Sequence, residues 1–521
     1  MKKLPIGLSS FERIMTDNYV YVDKTRHIYN LVNTGGGRYF LSRPRRFGKS
    51  LLIDTIRLAF EGREGLFKGL YLEQNWDWQI TYPVLNFSFG EGSVSTPQAL
   101  DEKISGFLDA YYEQYRIGNA YSEVSARFSY LIRHLASRFN KVVILIDEYD
   151  KPILDNIADS DNAIAMRERL RNFYSVIKSQ DINVQFAMLT GVSKFSKVSL
   201  FSDLNNLEDL SLDVRYADIC GYNQAELDLS FKKYLDNGQV DYTLLKKWYN
   251  GYNFAGSEMQ KVYNPFDVLL FIAKGCRYQN YWFETATPTF LVKAIQQHRY
   301  FIPDLENLVV GESMLTKFDI NTMPVATLLF QTGYLTIKEI TMRGKRTAYR
   351  LGYPNYEVRC SLNEVLAGVG TTQDSKDSVI DGLITALEGN DFKLLEEVIT
   401  SHFASIPNDW YRNNNIDQYE GFYASIVYSY FVALGYDLIA EDVTNHGRID
   451  LTVLMPNKIL IIEFKLIKFG GANKAISQIK DKGYPQKYLA QNKPIYLIGI
   501  SFDPDKRNIT ELVFEQYDLE C

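Results

Sequence analysis

Three stretches of this chain carry residues whose types and spacing could do chemistry on phosphorus. The first is Ser42-Arg43-Pro44-Arg45-Arg46-Phe47-Gly48-Lys49-Ser50. It follows a strand-like run, Tyr39-Phe40-Leu41, and opens an apolar-periodic segment from Leu51 to Phe60. Strand, loop, Gly-Lys-Ser and helix is the context a phosphate-binding loop requires. Gly48 lets the backbone approach a phosphate, and successive N–H groups at a helix start present positive potential to it. Lys49 is placed to reach the β and γ phosphates and the Ser50 hydroxyl to ligate Mg²⁺. Arg45 and Arg46 join them as nucleotide contacts. Arg45, Arg46 and Arg215 are alternative arginine fingers, and none is favoured. One position departs from G-x-x-x-x-G-K-[ST]: the first glycine should fall at 43, where the chain has Arg43.

The second stretch is Val142-Val143-Ile144-Leu145-Ile146-Asp147-Glu148. A continuous β-branched run without alternation reads as a buried parallel strand. Carboxylates at its C-terminal end sit where ligands bind in open α/β sheets. Asp147 is expected to hold Mg²⁺ and Glu148 to polarise an attacking water. Asn183 to Gly191 reads as another buried strand with a polar tip, where Thr190, or Ser193 beyond it, could sense a γ-phosphate.

The third stretch lies near the C-terminus. Asp450 sits on a strand-like run, Ile449–Leu454, and Glu463 and Lys465 sit on the next, Ile459–Lys465, across a hairpin turn. Residues two apart on a strand share a face. Two carboxylates and a lysine on one face form a site for Mg²⁺ or Mn²⁺, both hard cations that take oxygen ligands. A metal there lowers the pKa of bound water and neutralises a scissile phosphate. Lys465 would orient the water or help deprotonate it. Glu420, on a helix from Ile416 to Leu434, is a further metal ligand, and Gln478 and Lys482 ride on a helix from Ala472 to Leu489 beside the site. Lys468, Lys474, Lys480 and Lys487 add positive charge that would hold phosphates in a salt-dependent way.

The elements that must position these groups alternate. Strands near 39, 82–89, 142–147 and 183–191 are separated by helical stretches, including a long amphipathic one over about 97–138, so the first part is a three-layer α/β domain. From Tyr222 to about 370 the pattern is mostly helical, a winged-helix-like connector with a β-hairpin over Thr332–Leu351. Thr371 to Ser378 is polar and reads as a linker. The domain limits expected are 1–210, 211–375 and 376–521.

Length and composition fit this plan. The chain has 521 residues, 46% hydrophobic and 23% charged, with 14% aromatics and a net charge of −6, an ordinary globular composition. With that charge, any nucleic-acid contact must come from a local basic patch. The four cysteines are far apart and form no zinc pattern, so reduced thiols in a cytoplasmic protein are expected. No run approaches the length of a membrane span.

Residues 1 to about 270 resemble the AAA-ATPase-like family of bacterial P-loop proteins. The resemblance is carried by residues 43–50, Asp147-Glu148-Tyr149-Asp150, Leu189-Thr190-Gly191 and Leu204-Asn205-Asn206-Leu207. Arg43 at the first-glycine position recurs in that resemblance. Residues from about 380 to 521 resemble the PD-(D/E)XK nuclease superfamily, through Gly447-Arg448-x-Asp450, Glu463-x-Lys465, Gln478 and Glu420. The resemblance implies an α/β P-loop NTPase domain with a parallel sheet, the helical connector, and a restriction-endonuclease-like domain with a mixed sheet. It further implies ATP and Mg²⁺ as cofactors, with Mg²⁺ or Mn²⁺ at the nuclease site. The activity implied is an ATPase with metal-dependent hydrolysis of nucleic acid, DNA ahead of RNA, with room for a homo-oligomer. The alternative is a nucleotide-switched nucleic-acid-binding or assembly protein with an inactive nuclease fold.

Overall fold

A computed structural model of the chain describes residues 1–118, 121–157, 159–194, 206–256, 260–283, 301–316, 325–367, 373–405 and 420–517. By packing, the chain divides into two compact units, Met1–Phe290 with Leu308–Tyr356, and Leu291–Asn307 with Glu357–Cys521.

The first unit is built on five parallel strands: β1 (Arg38–Ser42), β2 (Val84–Ser88), β3 (Val142–Asp147), β4 (Val184–Gly191) and the short β5 (Glu208–Asp209). They lie in the order β2-β3-β4-β1-β5. Every residue of β1 and β3 is buried, as the apolar runs Tyr39–Leu41 and Val142–Ile146 require of a sheet covered on both faces. Parallel pairing puts the C-terminal ends of β1, β3 and β4 on one edge, with Leu41 opposite Thr190 and Ser88 opposite Asp147. Chemistry-bearing residues far apart in sequence are thus brought to one edge of the sheet. Helix α1 (Lys49–Phe60) leaves that edge directly after β1. The long helical stretch expected over 97–138 is two helices, α2 (Pro97–Gln114) and α3 (Val124–Phe139). Arg116 takes a left-handed φ of 55° at the break, and Gly118 follows it. Phe87 on β2 packs on Phe128 of α3 and on Phe173 of α4 (Ser160–Ser179), with the last two rings stacked 4.6 Å apart. Each ring buried there contributes about 2 kcal/mol.

Beyond the sheet, β6 (Asn250–Tyr252) and β7 (Val262–Tyr263) form a ribbon, followed by α5 (Pro265–Ala273). Asn264 caps α5, its Oδ1 accepting from Phe266 N, and Pro265 occupies the first helical position. The hairpin expected at 332–351 is present as β9 (Thr336–Arg343) and β10 (Arg346–Gly352), with β8 (Leu308–Gly311) on the other side of β10.

The second unit centres on a mixed sheet in the order β11-β12-β13-β14-β15, made of Asp437–Val443, Arg448–Leu454, Ile459–Leu466, Ile495–Asp503 and Asn508–Gln516. Only β13 and β14 run parallel. Of the polar stretch at 371–378, expected as a linker, the first two residues lie outside the described residues and Gln373–Ser378 instead open helix α6 (Gln373–Gly389), which is followed by α7 (Phe392–Ser405) and α8 (Glu420–Ala433). The helix expected over 472–489 stops early: α9 (Gly471–Asp481) ends at Lys482, and a 3-10 turn follows. Gly483 sits at φ 59° and Pro485 cannot continue an α-helix. Helix α9 bridges the parallel pair and lies on it closely. A Cβ on Gly499 of β14 would fall 2.3 Å from the Ala472 carbonyl oxygen, so glycine there sets the height of α9 over Glu463, the strand partner of Gly499.

Candidate functional sites

The 43–50 loop leaves β1 with its first residue tied down. Arg43 N donates to Gly191 O at 3.1 Å. The Arg43 side chain turns inward, fully buried, donating to the carbonyls of Ser42 (2.9 Å), Ser211 (2.8 Å) and Tyr216 (3.0 Å) and lying over the Phe254 ring. Arginine at the first-glycine position therefore acts as a brace beneath the loop, and burial pushes it down only to about 10, so it stays cationic at neutral pH. Phe47 is the second anchor, packed edge-on against Tyr252 and Phe254. Between these anchors Arg45 and Arg46 are exposed. Arg46 has a φ of 64°, and Gly48, at φ 92°, caps α1.

Arg45, Arg46, Gly48, Lys49, Ser50 and Glu148 line one cavity of about 510 Å³. Lys49 Nζ donates to the carbonyls of Arg43 and Pro44, both at 2.9 Å. Burial holds its pKa below the usual lysine value, opposed by Asp147, Glu148 and Asp150. Glu148, at φ 53°, is pushed above the usual carboxylate range by burial and by Asp147. Asp147 is buried next to Glu148, its Oδ1 accepting from Thr190 Oγ1 at 2.7 Å and from Glu148 N at 3.0 Å. The two alternative tip residues share a fate. Thr190 is spent on Asp147, and Ser193 donates Oγ and N to Asp150 Oδ2 at 2.5 and 2.6 Å. Asp150 thereby knots the turn after β4 to the end of β3. Sequence reading missed that role, and the three-residue spacing from Asp147 was its only trace. Arg215 is paired with Glu208 and Asp213, which makes it a surface brace. Of Leu204-Asn205-Asn206-Leu207, the first two residues lie outside the described residues.

In the second unit β12 and β13 pair antiparallel through Leu451 and Ile462, so Asp450 and Glu463 fall one step beyond, side by side. Asp450 N approaches Glu463 Oε1 at 3.4 Å, and Phe464 N donates to Asp450 Oδ2 at 2.8 Å. Gln478, reaching down from α9, donates Nε2 to Glu463 Oε2 at 2.8 Å. Glu463 is fully buried, and burial followed by the neighbouring Asp450 pushes it up to about 9. Asp450 is raised as well, by burial, with Lys465 opposing. Two carboxylates this close cannot both ionise without a cation. The donor set, hard oxygens with Lys465 beside them, fits Mg²⁺ or Mn²⁺. Among the described residues no group of three or more His, Cys, Asp or Glu is placed to share a metal. Glu420 begins α8, but its side chain lies outside the described residues.

Lys482 is exposed at the end of α9. Of the other lysines, Lys480 is paired with Glu515 and Lys487 with Asp442, so the basic patch is partly neutralised. A cavity of about 480 Å³ opens over Asp450 and is also lined by Asp304, Glu441 and Arg448. Arg448 is paired with Glu441, and Tyr484 OH donates to the Arg448 carbonyl at 3.0 Å. Gly447 makes room for that tyrosine, since a Cβ there would meet its oxygen at 2.8 Å. Sequence reading had no signal for Asp304, which is remote from every motif. No helix of the described residues is long and apolar enough to cross a membrane.

Comparison with known proteins matches these two regions in the same order. Residues 5–201 match the family model described as "Predicted AAA-ATPase", and residues 418–512 match that of the PD-(D/E)XK nuclease superfamily. Over 517 residues the chain is 47% identical to the "Uncharacterized protein in vnfD 5'region" of Azotobacter chroococcum mcd 1, covering 99% of each chain. No solved structure matches the chain.

Proposed function

Because the chain belongs to the AAA-ATPase-like proteins that carry a C-terminal PD-(D/E)XK nuclease-superfamily domain, we propose that it hydrolyses ATP at the 43–50 loop and cleaves nucleic acid at Asp450 and Glu463. The observation that carries this reading is the close pair of half-buried Asp450 and fully buried Glu463, with Lys465 beside it and Gln478 bonded to it. A sheet that needed only stability would gain by replacing such a pair with apolar residues.

At the first site the N–H groups of the loop and of the first turn of α1 bind the β and γ phosphates. Lys49 exchanges its two loop carbonyls for phosphate oxygens. Glu148 orients the attacking water, and Thr190 supports the reaction indirectly by holding Asp147. Ser50 and Asp147 are the proposed holders of Mg²⁺. At the second site Asp450 and Glu463, with Glu420 as a further proposed ligand, hold a divalent ion. When bound, Mg²⁺, or Mn²⁺ at the second site, offsets phosphate charge and acidifies coordinated water. Lys465 orients the water or takes its proton, and Gln478 keeps the Glu463 carboxylate from turning. Lys482, exposed at the end of α9, adds attraction for the nucleic-acid backbone.

The proposed substrate is DNA ahead of RNA, the proposed location is the cytoplasm, and ATP turnover is proposed to govern cleavage. The functional blocks proposed are 1–210, 211–375 and 376–521. The test gives full-length protein radiolabelled ATP and end-labelled DNA with Mg²⁺ or Mn²⁺. Lys49→Ala should abolish ATP turnover and Glu463→Ala should abolish cleavage. ATP binding unchanged in the first variant, or cleavage surviving in the second, contradicts the corresponding half.

A further inference from the structure

Three successive carbonyls of the 43–50 loop are taken up by side chains. Lys49 Nζ holds those of Arg43 and Pro44, both at 2.9 Å, and Trp282 Nε1 donates to that of Arg45 at 3.0 Å. Trp282 lies 237 residues further along the chain, outside the 5–201 region matched by the family model. Its side chain is fully buried. The cavity over the loop is lined by Arg45 and Arg46 but not by Trp282.

The donor is itself fixed. The Trp282 ring meets that of Tyr334 at 5.3 Å between centres and that of Tyr252 on β6 edge-on at 6.2 Å. Tyr252 also packs on Phe47. Gly333, next to Tyr334, lies close against the loop at a φ of 93°, and a Cβ there would fall 2.6 Å from Cβ and Cγ of Pro44. One aromatic block thus holds the loop at residues 44, 45 and 47. The consequence for the loop follows from peptide geometry. In a trans peptide the N–H and C=O point in opposite directions, so tying the Arg45 carbonyl to Trp282 turns the Arg46 N–H away from it. Arg46 has a left-handed φ of 64°, which a non-glycine residue keeps only where its surroundings impose it. A left-handed residue in such a loop can turn successive N–H groups towards one point, the arrangement that holds an anion.

We infer that Trp282 is a positioning residue for the phosphate loop: through the Arg45 carbonyl it holds the Arg46 N–H in the direction of the bound phosphates. The inference rests on the phosphate-loop reading above. Lys49 is proposed to give up its two carbonyls when phosphate binds, so the Trp282 bond is the one of the three that persists in the bound state. Trp282 touches neither nucleotide nor metal in this account and acts only through the backbone of the loop.

Calorimetric titration of full-length protein with Mg²⁺ and either ATP or inorganic tripolyphosphate tests this, on wild type and on Trp282→Phe, which keeps a buried ring and removes the N–H. The variant is expected to bind both ligands about tenfold more weakly and by the same factor, because the loss lies in the loop that both ligands share. In wild-type protein the indole ¹⁵N–¹H resonance of Trp282, one of five tryptophans, is assigned by replacing the other four in turn. It is expected to move when tripolyphosphate binds, because the two neighbouring carbonyls change partner. Unchanged affinities in a folded variant, whatever its melting temperature, overturn the inference. A loss confined to ATP overturns it as well, since that would place the effect on the base or sugar. A Trp282 resonance that stays fixed at saturating tripolyphosphate also overturns it, and decides the matter if the variant does not fold. Wild-type protein that binds neither ligand overturns the phosphate-loop reading and the inference with it.

Discussion

In the first unit the cationic groups of the candidate site already have partners inside the protein, whereas in the second the acidic groups face each other with little to offset them. Arg43 is bonded to three carbonyls and Lys49 to two. Asp450 and Glu463 have one amide side chain, a few backbone N–H groups and Lys465. The difference teaches how each site is held ready. The loop keeps its shape through its own hydrogen bonds, some of which the proposed phosphate would replace. The carboxylate pair is held close by the sheet at the cost of a raised affinity for protons, a cost that the proposed divalent ion would relieve.

The largest effect expected from this contrast is at the second site. Glu463→Ala should abolish metal-dependent cleavage, a loss of about a thousandfold or more, read as initial rates on labelled DNA, with the first unit's ATP turnover in the absence of DNA unaffected. Next, Arg43→Gly should cost about 3 kcal/mol of stability, because it strands three buried carbonyls, and this is measurable by denaturant unfolding. If Arg43 instead met phosphate, the variant would lose nucleotide affinity at unchanged stability, and the contrast would fail on that side.

An effect of about 3 kcal/mol should appear with acid in the second unit. His402 of α7 is buried against the Tyr430 hydroxyl, and burial pushes it down to about 4. The unfolded chain binds more protons than the native one between pH 4 and 6.5, so this stability is intact above pH 6.5 and is lost as pH falls towards 4. Melting curves of wild-type protein and His402→Gln over that window should converge as the pH falls. Parallel curves would mean that His402 does not titrate as its burial requires. The smallest effect expected is from Gln478→Ala, about tenfold in Mn²⁺ affinity, since it frees the Glu463 carboxylate without removing a ligand.

Much of this was legible in the sequence because the signals are local. Gly48-Lys49-Ser50 at a strand–helix junction, the apolar run ending in Asp147-Glu148, and Glu463-x-Lys465 across a hairpin from Asp450 each define their own geometry within a few residues. What was not legible depends on distant partners. Nothing in the order of residues says that Arg43 reaches the Tyr216 carbonyl, that Ser193 is taken up by Asp150, or that Leu8 and Phe266 line one cavity. Element ends were missed where one residue decides, as at Arg116 between α2 and α3 and at Gly483 after α9. The polar run misled from Gln373 on because hydrophilic residues also suit a helix start.

Two separate centres in this chain are proposed to grip phosphorus through divalent ions. A crystal soaked with Mn²⁺ and a non-hydrolysable ATP analogue tests it most directly, by anomalous scattering. The account predicts one manganese within coordination distance of both Asp450 and Glu463, and a second beside Ser50 with the analogue's phosphates against the 46–50 amides. Asp450 and Glu463 turned apart with no metal between them, or an analogue bound away from Lys49, would contradict it.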